Sequence, residues 1–395
     1  MNAKIVSSLL ILTLLATACV SEYNPVLPSD DKKILFVDGS IIENTDVLFR
    51  ISQSFSLNED TVPEESFVNN ASLTIIGSNG YKSPAAINEG KGTYRIPTGA
   101  LDDDVEYGIQ IEYDGDTYQS ALSKPLHTPE IDSISWTQPD SIGTVFFHVS
   151  THDNTGAGTR FFMWNYTEDW EIKSVYPTAI FYRAEADTFY VDWSLPYYYC
   201  WRKNESGTFL IGSTESLREN KLVNKQLYEQ GSEDDRFSEL YSVIVTQRAI
   251  SKDAYEYYQS IKKQNEDMDG LFTPQPSEIT GNITCITEPS KKVIGYVETV
   301  KNRSQKRIFV YPEQLRRPVV YSDCDPLFLT NGKLPEPGQY AYFYKMGWRP
   351  AEIDSESYAY HGIIIPSEWA LSHCTDCRDN GGTKNKPDFW PNWHW

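Results

Sequence analysis

EYGIQIEYDGDTYQS, residues Glu106 to Ser120, decides how this chain folds. Tyr107 to Tyr113 and Thr117 to Ser120 are strand-forming segments, and Asp114-Gly115-Asp116 between them is a hairpin turn signal. Asp-Gly accepts the positive φ angles that a tight turn matched to strand twist requires. Working outward towards the N-terminus, Ile34-Leu35-Phe36-Val37 precedes Asp38-Gly39. Val47 to Phe55 alternates apolar and polar residues (Val47, Phe49, Ile51), and Ala71 to Ile76 ends at Gly77-Ser78-Asn79-Gly80. Short strands at this spacing, with no helical period, predict an immunoglobulin-like β-sandwich over residues 33–128. No residue in it suggests catalysis.

Thr128-Pro129 opens a second, larger region, residues 129–395. Alternation continues in Val145-Phe147-Val149 and Phe161-Met163-Asn165, and an aromatic knot follows at Trp193-Ser194-Leu195-Pro196-Tyr197-Tyr198-Tyr199-Cys200-Trp201. Leu240 to Ile250 reads as a buried strand. Ser251 then serves as an N-cap for a helix to about Gln264, with Ala254, Tyr257, Tyr258 and Ile261 on one face, Asp253 at its start and Lys262 and Lys263 near its end. Val293 to Val297, Arg307 to Val310 and Tyr340 to Phe343 read as further strands. The expected fold is therefore mainly β: an N-terminal immunoglobulin-like β-sandwich followed by a larger β-rich domain with one or a few short helices and an aromatic C-terminal tail.

The first 32 residues set the address. Lys4 gives a positive start, Ile5 to Leu15 an apolar run, and Ala16-Thr17-Ala18 the small residues before Cys19. That is a secretory signal, too short to be a membrane anchor, and a cysteine directly after the small residues makes it a bacterial lipoprotein signal, residues 1–18. The alternative is an ordinary secretion signal with a chance cysteine. Lipidation at Cys19 would leave residues 19–32 (with Glu22, Asp30 and Asp31) as a polar tether, about 40 Å long when stretched. Acidic residues behind the lipid point to an outer-membrane protein at the cell surface, or else facing the periplasm.

Composition bounds the partners. The 395-residue chain carries 55 acidic against 35 basic residues, a formal charge of -20. That field repels phosphate backbones and anionic lipid, which argues against nucleic acid and leaves membrane attachment to acyl chains. After Cys19, five cysteines remain: Cys200, Cys285, Cys324, Cys374 and Cys377. Disulfides are permitted in an exported chain, but an odd count leaves at least one thiol free or buried. Cys374-Thr375-Asp376-Cys377, with His373 and His394, could make a four-ligand zinc site; a lone C-x-x-C weighs more towards a structural disulfide between Cys374 and Cys377 or simple loop bracing.

YSVIVTQRAISKDAYEYYQSIKKQNEDMDGLFTPQPSEITGNI (Tyr241 to Ile283), VIGYVETVKNRSQKRIFV and CTDCRDNGGTKNKPDFWPNW, with ILFVDGSI, GTYRIP, PEIDSI and TEDWEI before them, resemble the uncharacterised lipoprotein family of Bacteroidota called domain of unknown function 4249. The likeness rests on the order and spacing of these segments over nearly the whole mature chain. It implies an outer-membrane lipoprotein encoded beside TonB-dependent receptors, with no enzymatic activity and no catalytic residue attached.

A search for chemistry in the residues themselves finds little. G-x-S-x-G, H-E-x-x-H and the P-loop are missing, and the six histidines (His127, His148, His152, His361, His373, His394) are scattered. Asn265-Glu266-Asp267-Met268-Asp269-Gly270 starts like an EF-hand loop, yet Pro276 stands where the bidentate Glu belongs and Glu278 comes two residues late. A Gly-closed turn after a helix explains the same residues without calcium. Neither a catalytic residue, a cofactor nor a metal is expected. Asp60-Thr61-Val62, Asp132-Ser133-Ile134 and Asp140-Ser141-Ile142 match a short O-glycosylation pattern.

The remaining candidates are aromatic. Phe389, Trp390, Trp393 and Trp395 crowd the last seven residues, where two prolines keep the backbone extended. They could display a flat surface to a sugar ring or a partner barrel; the competing reading folds the tail back over a sheet edge. The function expected is a non-catalytic accessory or docking partner of a TonB-dependent transporter in nutrient uptake. The alternatives are a structural or adhesive envelope lipoprotein and, less favoured, a glycan- or peptide-acting enzyme.

Overall fold

The computed structural model describes residues 33–55, 62–140, 142–183, 185–267, 279, 281–318, 323–328, 338–353 and 366–394. Cys19 with its signal and tether, the calcium-like loop beyond Asp267, Asp60-Thr61, Ser141 and Trp395 lie outside these residues.

The Glu106–Ser120 hairpin forms as read. Strands Tyr107–Tyr113 and Asp116–Ser120 pair antiparallel, with Tyr113 opposite Asp116. Asp114 and Gly115 take positive φ angles of 53° and 79°, the left-handed pair that a two-residue turn joining twisted strands requires. Ser72–Gly77 lies on the hairpin's other side, and Ile283–Cys285 extends its edge. The facing sheet runs Val293–Gly295, Leu35–Asp38, Asp46–Gln53, Thr93–Pro97, Ile87–Gly90. Alternate residues of the two sheets meet in one core: Leu35, Val37, Phe49 and Ile51 on one side, Leu73, Ile75, Ile109 and Ile111 on the other. This is the two-layer sandwich that period-two burial dictates.

The boundary at 128 marks where the chain leaves this sandwich, not where the sandwich ends. Residues 283–300 fall inside the region read as the second domain, yet they return to complete the first. Ile283 and Cys285 bury in its core beside Val293 and Val297. Val293–Gly295 pairs parallel with Leu35–Asp38, and Thr299–Val300 pairs parallel with Ile41–Ile42. The reason is an open edge: without these late strands Leu35–Asp38 and Asp116–Ser120 would each present unpaired backbone to solvent.

The second sandwich stands on the 13-residue strand Phe161–Lys173. Tyr241–Ala249 flanks it on one side; on the other, Leu210–Ser213 covers its first half and Tyr199–Glu205 its second. Ser304–Val310 completes that sheet, and Ile131–Thr137, Thr144–His152 and Lys221–Gly231 form the facing one. Phe147, Val149, Trp164, Tyr241 and Val243 fill the space between. The helix Lys252–Asp267 follows the strand it was expected to follow. The Ser251 hydroxyl accepts from the Ala254 N–H at 3.1 Å as its N-cap.

Two expectations change in the C-terminal part. Tyr340 to Phe343, read as a strand on aromatic content, lies in the helix Gln339–Lys345, entered through Gly338 at φ 83°. The helical period sets Tyr340 and Phe343 against the fully buried Trp369, so tertiary packing overrides β propensity. Cys374 and Cys377 do not pair with each other: the disulfides are Cys200–Cys377 and Cys324–Cys374. Cys377 and Cys200 bury in the second sandwich, whereas Cys374 and Cys324 bury in a separate small core with Ala351 and Ala370. The C-x-x-C is thus a hinge whose two sulfurs face different cores. Cys285 is a free, buried thiol.

Candidate functional site

A polar cleft opens at the second sandwich, with a cavity volume of about 820 Å³. Four pieces of chain wall it. Trp170 and Arg202 sit opposite each other on the paired strands Phe161–Lys173 and Tyr199–Glu205. The turn Asp234-Asp235-Arg236 closes one side. Residues 381–387 close the other, where Trp201 and Thr383 exchange both backbone hydrogen bonds at 2.9 Å, adding a short edge to the sheet. The Cys200–Cys377 disulfide fixes that edge. Gly382 is obligatory beside it, because a Cβ there would stand 2.4 Å from Cys200 Cβ and 2.9 Å from the Cys377 carbonyl oxygen.

The Trp170 ring, 4% exposed, forms the floor. The guanidinium groups of Arg202 and Arg236 lie over it, 5.1 and 5.3 Å from its centroid, a cation–π arrangement that holds both arginines flat. Each is also paired. Arg202 donates to Asp235 at 2.6 Å, and Arg236 donates to Glu168 at 3.1 Å. Glu168 is buried behind the floor and accepts further from Asn204 Nδ2 (2.8 Å) and the Tyr241 hydroxyl (2.7 Å). Lys203 pairs with Glu205 at 2.7 Å, and Asp169 with Arg307 at 3.0 Å. Burial pushes the Asp235 carboxyl above its usual value although Arg202 pulls it down. Burial lowers the Arg236 guanidinium, and the carboxylates of Glu168 and Asp234 more than offset this. Among the described residues, the buried indole N–H groups of Trp170 and Trp201 have no acceptor.

The aromatic tail is used otherwise than as a display. Trp390 is buried, with its ring edge-on to Phe309 at 5.9 Å. The Trp393 indole N–H donates to Glu171 Oε2 at 2.8 Å, and His394 Nε2 meets the same oxygen at 3.0 Å. Among the described tail aromatics only Phe389 is substantially exposed, at 42%, and the Arg307 guanidinium covers its ring at 3.5 Å. The tail folds back because Glu171 is buried on the sheet and needs donors. The zinc set is not assembled either. Cys374 and Cys377 are in separate disulfides, His394 is on Glu171, and His373 contacts Asp323 at 3.2 Å. Of the O-glycosylation matches, Asp132-Ser133-Ile134 lies in the paired strand Ile131–Thr137, with Asp132 bound to His152 at 2.7 Å.

Sequence reading missed Trp170, Arg202, Asp235 and Arg236, which are brought together by strand register and not by spacing. Trp201, at the end of the aromatic knot, is the one cleft residue it had singled out. No helix among the described residues is long and apolar enough to cross a membrane. Residues 20–306 match the family model described as Domain of unknown function (DUF4249). No curated protein matches the chain.

Proposed function

The chain belongs to the DUF4249 family, and we propose that it is an outer-membrane lipoprotein, anchored through Cys19, that serves as a non-catalytic accessory of a TonB-dependent transporter and holds a nutrient in the Trp170 cleft. The observation that carries the reading is the chemistry of that cleft: it is of ligand size, within the range of about 300–1,000 Å³, and its cations are already bound to carboxylates. Groups locked in mutual ion pairs are arranged to hold a molecule. Catalysis needs a group poised to attack or to move a proton, and the carboxylates of the described lining, Asp169, Asp234 and Asp235, are each paired with an arginine. The lipoprotein signal ending at Cys19 supports the address, and two disulfides suit an exported chain.

Extraction of the native protein in mild detergent tests this reading. A co-purifying outer-membrane β-barrel receptor is the expected result, together with a diacylglyceryl mass on the peptide beginning at Cys19. An unmodified Cys19 thiol overturns the anchor. An acylated protein that purifies without a receptor overturns the docking and favours an envelope scaffold, a role the N-terminal sandwich would also suit.

A further inference from the structure

We propose that the Trp170 cleft takes a neutral oligosaccharide, an assignment that rests on the reading of the protein as a nutrient-capturing accessory and names what it captures. Three observations converge on that chemistry. The first is charge balance. Among the lining residues, Arg202, Lys203 and Arg236 stand against Asp169, Asp234 and Asp235, so the cleft is formally neutral in a chain of charge -20. An anion would need an uncompensated guanidinium, yet Arg202 and Arg236 are each bound to a carboxylate. A cation would face Arg202 and Arg236 across the floor. A neutral ligand disturbs none of these pairs.

The second observation is the pattern of donors and acceptors. Cationic, carboxylate and amide side chains line the cavity together, Asn204 and Asn385 among the charged residues. Ionised groups held rigid by a partner still have lone pairs and N–H groups to spare, and hydrogen bonds to charged groups contribute more than neutral ones. A ring bearing hydroxyls, each both donor and acceptor, satisfies both kinds at once. The third observation is shape: the cleft is open to solvent and bordered by the half-buried Trp201, and an aromatic ring of this kind stacks against the C–H face of a sugar. The cavity is larger than one sugar ring needs and suits a chain of several.

Isothermal titration of the full chain without its signal, against hexasaccharides of glucose, mannose, xylose and galactose, tests the assignment. Hexasaccharides of polygalacturonate and heparin form the anionic arm. Saturable binding of at least one neutral hexasaccharide is expected. It should weaken about tenfold or more in Trp201→Ala and be largely restored in Trp201→Phe, which keeps a stacking ring and guards against a folding defect. No binding to any neutral hexasaccharide, tighter binding of the anionic ones, or affinity unchanged in Trp201→Ala each overturns it. The receptor pull-down, run on the same variants, separates this proposal from the one beneath it. A receptor that co-purifies with a protein binding no neutral sugar removes the ligand class alone. Sugar binding without a receptor removes the docking alone.

Discussion

The two sandwiches are closed in opposite ways. The first reaches forward in the chain for Ile283–Cys285 and Val293–Gly295 and holds them by strand pairing and apolar burial alone. Its one cysteine, Cys285, is unpaired. The second borrows residues 377–394 and binds them by a disulfide, an extra strand edge and a buried carboxylate that two tail residues share. A segment packed into a core on both flanks can be kept by burial. A segment laid along an open edge, beside a solvent-filled cleft, exchanges little apolar area and needs a covalent tie. Closure chemistry thus follows how much surface each late segment covers.

Reduction should break the comparison most visibly. The Cys200–Cys377 link closes a loop of 177 residues, and in the chain-entropy account such a link stabilises by roughly 5 kcal/mol. Cys200→Ser with Cys377→Ser should therefore raise amide exchange across Tyr199–Glu205 and Phe161–Lys173, measured by hydrogen-exchange mass spectrometry, and leave Tyr107–Tyr113 unchanged. Equal loosening of both sandwiches would show that they are one cooperative unit.

Acidity should act on the other side. Glu298, which leads into Thr299–Val300, is buried at the seam between the sandwiches. Burial raises its pKa to about 7, against the pull of the Ser251 hydroxyl and N–H, and its second oxygen has no hydrogen-bond partner among the described residues. Between pH 4.5 and about 7 the folded chain keeps a proton that the unfolded chain has released, so this group's contribution is whole below pH 4.5 and is lost as pH rises through 7. The shift corresponds to about 3 kcal/mol. Glu298→Gln should remove that slope from the wild-type denaturation profile measured at pH 4.5, 6 and 8. A slope identical in both proteins would place the titration elsewhere.

The legible parts of this molecule are those whose physics is local. The Asp114-Gly115 turn, the strand Tyr241–Ala249 and the Ser251 cap all follow from neighbours a few residues apart. The return of residues 283–300 was not legible, because an apolar strand reads the same whichever sheet receives it. The disulfide partners were hidden for a similar reason: spacing says that Cys374 and Cys377 are close in sequence, and only the fold says that they face different cores. The cleft is the extreme case. Trp170 and Arg202 share a site through antiparallel register, and Arg236 through a turn after a further strand, so no window of sequence contains the site.

Backbone contact gives a sharper probe of the first sandwich. A Cβ on Gly281 would stand 1.7 Å from the Gly295 carbonyl oxygen, and both chains are fixed there, since the Asn282 N–H donates to that same oxygen at 3.2 Å. Gly281→Ala should cost about 1–3 kcal/mol and lower the urea midpoint. Its exchange signature should be confined to Ile283–Cys285, Val293–Gly295 and their partners. Loosening at the Trp170 cleft instead would mean that the late strands also brace the second sandwich.

The smallest effect is expected where the tail meets Glu171, and it distinguishes a tie from a fit. If the disulfide alone held the tail, removing the carboxylate would change nothing measurable. The geometry says otherwise: Glu171 is 1% exposed, burial pushes its carboxyl upward, and the indole N–H of Trp393 and His394 Nε2 converge on one of its oxygens. Glu171→Leu would leave Trp393 without an acceptor in a part-buried site, at a cost of about 1–3 kcal/mol. Because Cys377 remains bonded to Cys200, that cost falls on residues 384–394 and not on the whole sandwich. Trypsin should then cut faster after Lys384, with the global urea midpoint little changed. Glu171→Gln, which keeps an acceptor, should resist cleavage nearly as well as the native chain. Unaltered cleavage in Glu171→Leu would show that ring packing by Trp390 and Trp393, without the shared carboxylate, is enough to hold the tail down.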